Sequence, residues 1–203
     1  MSNHDFDDTT MSIIRAFIAI DLSAEIQQRL NDVLENYKAL LNNIPIRWVP
    51  VSNIHLTLKF LGEVSTSNLN ILTDMIQTEV TSHHQFEISV GRSGAFPNNR
   101  QPRIIWIGVE APQELTSIQI GIETATARLG YAREERTFSP HLTIGRVSRN
   151  VPMQDVKLIS QTLENNRVGF LGAICIEKVH LYKSDLLPTG AVYTRIFTAS
   201  LNS

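Results

Sequence analysis

A single cysteine, Cys175, stands in a chain of 203 residues. An intrachain disulfide is therefore excluded, as is a metal site built on several thiolates, and a reducing, cytoplasmic setting is expected. Long apolar runs are missing as well. Ile13 to Ile20 comes nearest, but it is short, holds Arg15 and is closed by Asp21, so neither a membrane span nor a secretory signal is expected. Charge of one sign is scarce: 18 Lys and Arg against 20 Asp and Glu leave a formal net charge of -2. That balance argues against sequence-blind binding along a phosphate backbone, yet leaves room for a small pocket that takes one nucleotide end. Residues 1–12 are polar and acidic, with Asp5, Asp7 and Asp8, and read as a loose tail ahead of a single domain over residues 13–203.

What is present is an ordinary globular balance, 42% hydrophobic and 19% charged, arranged in a pattern that occurs twice. Ile13 to Leu22 reads as a buried strand. Ser23 is a helix N-cap, and Ile26, Leu30, Val33, Leu34, Tyr37 and Leu41 then form a stripe at helical spacing. After a break at Asn42 to Pro45 come a short strand at Arg47 to Val49 and the stretch His55-Leu56-Thr57-Leu58. A second helix carries Leu69, Leu72, Met75, Ile76 and Val80, and Phe86 to Val90 alternates as a strand. Gly91 to Pro102, punctuated by glycine and proline, is expected as a long surface loop. The series then restarts with a strand at Arg103 to Val109 and a helix entered at Pro112 and closed by Gly130. His141-Leu142-Thr143-Ile144 follows, then a helix at Met153 to Leu163, a strand from Ile174 to Lys183, and a last strand from Val192 to Leu201. Arg15 and His55 lie 40 residues apart, and Arg103 and His141 lie 38 apart. The fold class expected is α+β: a duplicated, bilobal, pseudo-twofold arrangement of mostly antiparallel sheets lining a central cleft, with helices on the outer faces.

In a strand, residues i and i+2 share a face. His55 and Thr57 therefore point one way and Leu56 and Leu58 the other, and His141 and Thr143 repeat the pattern. Two imidazoles that titrate near neutral pH suit a paired general base and general acid. Cleaving a phosphodiester needs that pair, while threonine hydroxyls can donate to the non-bridging oxygens. Arg146 adds a fork of donors, but regular alternation turns it away from His141 and Thr143. It reaches them only if the strand bulges or ends near Gly145. His4, His83 and His84 are expected to have no role, and His180 a structural one. A metal is not expected, because threonines are poor ligands and no nearby carboxylate or thiol completes a set.

These motifs resemble those of the 2H phosphoesterases, specifically the bacterial RNA 2',3'-cyclic phosphodiesterase family, also called 2'-5' RNA ligases. The resemblance spans about Arg15 to Thr198. It rests on Arg15-Ala16-Phe17-Ile18-Ala19-Ile20-Asp21-Leu22, Arg47-Trp48-Val49-Pro50, and His55-Leu56-Thr57-Leu58-Lys59-Phe60-Leu61-Gly62. Gly94-Ala95-Phe96-Pro97, Pro140 to Arg146, and the closing Tyr182-Lys183-Ser184 and Tyr193-Thr194 complete it. It implies hydrolysis of RNA ends or nucleotides bearing a 2',3'-cyclic phosphate to 2'-phosphomonoesters without metal or other cofactor; separately, a monomer is expected. His55 would be the proton donor and His141 the proton acceptor. Thr57, Thr143 and Arg146 would hold the phosphate, and Phe17 would offer a surface to the base. Two other readings compete: 2'-5' RNA ligation from the same site, with water as the rival nucleophile, and an RNA-end binding module without turnover.

Overall fold

The computed structural model describes residues 12–188 and 190–203. In order, the elements are β1 (Ile13–Ile20), α1 (Ala24–Leu40), β2 (Ile46–Trp48), β3 (Leu56–Ser65), α2 (Leu69–Val80), β4 (Phe86–Phe96) and β5 (Ile104–Glu110). There follow α3 (Gln113–Arg128), β6 (His141–Val147), α4 (Met153–Asn165), β7 (Phe170–Ile176), β8 (Lys178–Leu187) and β9 (Gly190–Ser200). The expected tail lies outside the described residues apart from Ser12, whose carbonyl accepts the Thr66 N–H at 2.9 Å.

Local chemistry explains the helix boundaries. The Ser23 side chain accepts from Ile26 N and opens α1, whose buried face is Ile26, Leu30, Leu34 and Tyr37. Pro112 precedes α3, and Gly130 follows it at φ +91°, the left-handed conformation that a helix end commonly assigns to glycine. The Tyr37 hydroxyl is buried with its ring. It lies 3.0 Å from both Ser93 Oγ and the Asn166 carbonyl, tying α1 to β4 and to the end of α4.

Two antiparallel sheets share one continuous apolar core. Their strand orders are β3-β1-β8-β9 and β2-β6-β5-β4-β7. Apart from β2, they correspond strand for strand: β3 with β6, β1 with β5, β8 with β4, β9 with β7. The expected duplication is therefore present, but the lobes are not the two halves of the sequence. Strand β4, from the first half, completes the second sheet, and β8 and β9, from the second half, complete the first. Helices α2 and α3 pack on each other, α2 also meeting β8 and β9 and α3 meeting β3, while α1 packs on β7.

Two expectations are corrected. The glycine-rich stretch after Val90 is strand as far as Phe96, so the loop before β5 is short. Glycine here lets strands lie close rather than breaking them: a Cβ at Gly91 would fall 2.7 Å from the Gly169 carbonyl oxygen, and one at Gly94 would enter the Trp106 ring. The single strand expected over Ile174 to Lys183 is two. Glu177 separates β7 from β8, and the chain changes sheets there without a glycine or proline to mark it.

Candidate active site

Each His-x-Thr strand carries a bulge at the same place. In the pairing of β3 with β1, Ala19 faces Thr57 and Ile18 faces Lys59, so Leu58 is the extra residue. In the pairing of β6 with β5, Trp106 faces Thr143 and Ile105 faces Gly145, so Ile144 is extra. Both bulges fall three residues after the histidine, and the side-chain alternation flips there. Leu58 and Lys59 are both buried, as are Ile144 and Gly145, and the next residues, Phe60 and Arg146, return to the exposed face. The parity obstacle to Arg146 is thereby removed, since the strand bulges at Ile144–Gly145. Lys59 is turned inward and meets Glu123 Oε1 at 2.5 Å and the Ala132 carbonyl. Removing either partner of such a buried pair costs roughly 3–5 kcal/mol.

The two histidines are held alike. His55 Nδ1 donates to the carbonyl of Asn53 at 2.9 Å, and His141 Nδ1 donates to the carbonyl of Ser139 at 2.6 Å, each two residues upstream. A carbonyl only accepts, so the proton of each neutral ring sits on Nδ1 and the lone pair on Nε2. Strands β3 and β6 touch where the two sheets meet, and Thr57 and Thr143 share the faces of their histidines.

Their surroundings differ. Burial pulls the His55 pKa down to about 4, opposed by the Asn53 hydrogen bond and the nearby Asp21 carboxylate. Burial also lowers the His141 pKa; the Ser139 hydrogen bond opposes the shift, and the Arg146 charge adds to it. His55 thus sees a negative neighbour and His141 a positive one. Asp21 is itself held by Tyr182, whose hydroxyl donates at 2.6 Å, and by Arg195 at 2.6 Å, with His180 Nε2 at 3.6 Å. His180 is buried and its Nδ1 bonds Thr198 Oγ1, consistent with a structural role.

Phe17 is only 3% exposed. Its ring stacks on His55 at 4.6 Å and is flanked by Tyr182, Tyr193 and Phe60. It backs the imidazole and has little surface left for a base. Phe60, which the sequence pattern alone does not single out, is 66% exposed and occupies the place that Arg146 takes in the other lobe. Its position five residues after the first histidine, matching Arg146 after the second, is the available signal. His141 is packed edge-on by Phe96 at 4.8 Å. Among the described residues no three His, Cys, Asp or Glu side chains converge as metal ligands. Among the same residues, no helix is long and apolar enough to cross a membrane.

A duplicated α+β fold with one His-x-Thr strand in each lobe defines the 2H class of phosphoesterases. The family model described as LigT like Phosphoesterase matches twice, over residues 20–106 and 107–193, and the chain belongs to that family. It is 31% identical over 181 residues to the RNA 2',3'-cyclic phosphodiesterase of Methanothermobacter thermautotrophicus, covering 89% of this chain and 95% of that one. The protein of the same name from Methanocaldococcus jannaschii is 32% identical over 180 residues, covering 89% and 96%. Among solved structures, a Thermus thermophilus protein superposes with a TM-score of 0.77 at 25% identity, covering 94% of this chain and 99% of that one. Escherichia coli LigT complexed with 3'-AMP superposes at 0.71 and 26%, covering 95% and 100%.

Proposed function

We propose that this chain hydrolyses 2',3'-cyclic phosphate ends of RNA to 2'-phosphomonoesters without a metal, using His55 as general acid and His141 as general base. The observation that supports the assignment is a pair of imidazoles each held through Nδ1 by a carbonyl two residues upstream, with an acidic neighbour, Asp21, near His55 and a basic one, Arg146, near His141. Arg146 disfavours a second positive charge on His141, which keeps Nε2 free to take a proton from water. Asp21 favours the protonated form of His55, which can then give its Nε2 proton to the departing 3'-oxygen. In the empty site burial outweighs Asp21. A bound phosphodiester anion acts in the same sense as Asp21, so substrate binding and protonation of His55 are coupled.

The hydroxyls of Thr57 and Thr143 and the Arg146 fork donate to the non-bridging oxygens, where charge rises in the transition state. Phe60 offers the terminal base an exposed ring on the His55 side, and Phe17 fixes the plane of the His55 imidazole from behind. The names carried by the relatives, and the 3'-AMP complex of the Escherichia coli protein, support a nucleotide end as the substrate. The test is incubation with a nucleoside 2',3'-cyclic phosphate, with and without EDTA, followed by identification of the product. A 2'-phosphate formed at equal rates in both arms is expected. A 3'-phosphate, or turnover lost to EDTA and restored by a divalent ion, would refute the mechanism.

A further inference from the structure

Away from the two imidazoles, the charge of the molecule is unevenly spread. The chain as a whole carries a formal net charge of -2, yet five arginines gather at one corner of the second sheet. Arg47 in β2 and Arg146 in β6 face each other in register. Arg103 immediately precedes β5, and its Nη1 donates to the carbonyls of Ser148 and Arg149 at 3.0 Å, which places the backbone of Arg149 against it. Arg100 sits in the turn between β4 and β5. All five are exposed. The stretches that build the corner, residues 45–50, 96–105 and 143–150, hold no Asp, Glu or Lys, and the next acid after Arg149 is Asp155 in α4.

Elsewhere cations sit beside acids: Lys59 meets Glu123, Arg195 meets Asp21 and Arg136 meets Glu134. Among the described residues no carboxylate lies within ion-pair distance of any of the five corner arginines. Residues directly opposite in an antiparallel pair share a face, and like charges there are destabilising. Arg47 beside Arg146 is such a pair, which a bound polyanion would offset. The net balance that argues against backbone binding is thus an average over the whole surface, and it conceals a local field of one sign.

We propose that this corner is a track for the sugar–phosphate backbone of an RNA chain, gripped through internal phosphates by Arg47, Arg100, Arg103 and Arg149 whatever the chemistry at the chain's ends. The inference rests on the nucleotide reading above for the identity of the polyanion, and on the arginines alone for its charge. The planar guanidinium fork suits paired phosphate oxygens, and its weak hydration lowers the cost of contact. Phosphate contacts carry no sequence information, so the track is indifferent to sequence. The three stretches expose no large apolar side chain, which disfavours a lipid surface or the apolar centre of a protein interface.

The test uses the full chain and an internally dye-labelled single-stranded RNA of about a dozen nucleotides with hydroxyls at both ends. Anisotropy is read over a salt series. Four phosphate contacts predict that the logarithm of the binding constant falls against the logarithm of salt with a slope of about -3. Arg47→Gln, Arg100→Gln and Arg149→Gln combined should flatten the slope by about 2 and weaken binding roughly a hundredfold at about 0.1 M salt. Gln101→Lys, which adds a cation to the same turn, should steepen it by about 0.7. Arg167→Gln, ahead of β7 at the opposite edge of the sheet, should leave it unchanged.

A triple variant that keeps the wild-type slope, a Gln101→Lys slope no steeper than wild type, or a loss that Arg167→Gln reproduces overturns the proposal. Tighter binding to polyglutamate of matched charge, or to phosphatidylglycerol vesicles, also overturns it and assigns the corner to an acidic protein or a lipid surface. The probe carries no cyclic phosphate, so its binding is read whether or not that group is hydrolysed. RNA bound by a protein that turns over no cyclic phosphate refutes only the hydrolytic reading. Turnover of a cyclic mononucleotide with no binding of this RNA refutes only the track.

Discussion

Beside His55, the positions of the first sheet that face the site carry Ala19, Asp21 and His180. Beside His141, the matching positions of the second sheet carry Trp106, Gly108 and Gly94. In the first lobe Asp21, His180, Tyr182 and Arg195 form a linked polar cluster, with Asp21 near the imidazole. In the second, the matching glycines lie against Trp106 and the neighbouring strand, beside a cavity that His141 helps to line. Five residues after each histidine the contrast recurs, an apolar ring at Phe60 against a cation at Arg146. Duplicating a strand-and-helix plan therefore supplied two equivalent imidazoles, and divergence of a few neighbours gave them opposite electrostatic settings.

The sharpest way to break this comparison is to remove the histidines in turn. His55→Ala and His141→Ala should each lower kcat/KM on the order of a hundredfold or more, the double variant being little worse than either. A leaving group that needs no protonation, such as p-nitrophenolate, should rescue only His55→Ala. Rescue of His141→Ala in its place would invert the assignment.

Arg146→Ala comes next, with a loss of roughly tenfold or more from the missing charge-assisted hydrogen bonds. Arg146 lowers the His141 pKa, so its removal raises that pKa and the rising limb of the pH–rate curve should move to higher pH. Arg146→Lys should keep the limb in place but lose much of the rate, because lysine retains the charge without the planar fork. If Arg146→Ala leaves both rate and limb untouched, the guanidinium does not serve the site.

Phe60→Ala should raise KM several-fold with little change in kcat, as expected when a stacking surface is lost. An equal effect on a substrate lacking the base would contradict that role.

The smallest effect is expected for Asp21→Asn. Asp21 raises the His55 pKa, so its loss should lower that pKa and shift the falling limb to lower pH, with a rate loss of a few-fold near neutrality. Coupling between substrate and His55 also separates kcat/KM from kcat. The former reports the free protein, where His55 titrates near pH 4, and its falling limb should lie at lower pH than that of kcat. Coincident limbs would show that substrate leaves His55 unchanged.

Much of this site is legible in the sequence because its carriers are local. His-x-Thr alternation is a two-residue pattern, and parity alone shows that Arg146 needs a bulge near Gly145. What stays hidden depends on pairing across strands. Asp21 and Trp106 become neighbours of the histidines only through the β1–β3 and β5–β6 registers, which no local period encodes. The run Gly91 to Phe96 reads as a loop because glycine usually punctuates, whereas here it permits close packing beneath Trp106. Phe17 is expected as a surface for the base on the family resemblance, which carries no information about the four rings that cover it here.

The exchange of strands between the lobes bears on how such a chain is made. During synthesis β1 can pair with β3 early, but its other edge waits for β8, which begins at Lys178, and β4 waits for β5 and β7. The first hundred residues alone would present at least three unsatisfied strand edges, one on β1 and both on β4, a template for aggregation. Cut between β4 and β5, the chain should give two fragments that stay unfolded or aggregate apart and regain activity when expressed together. By the same geometry, an ancestor of half this length could have closed both sheets only by lending its third strand to a second copy. On that view fusion of the two genes turned an obligate dimer into one polypeptide, and released its two imidazoles from the requirement to be identical.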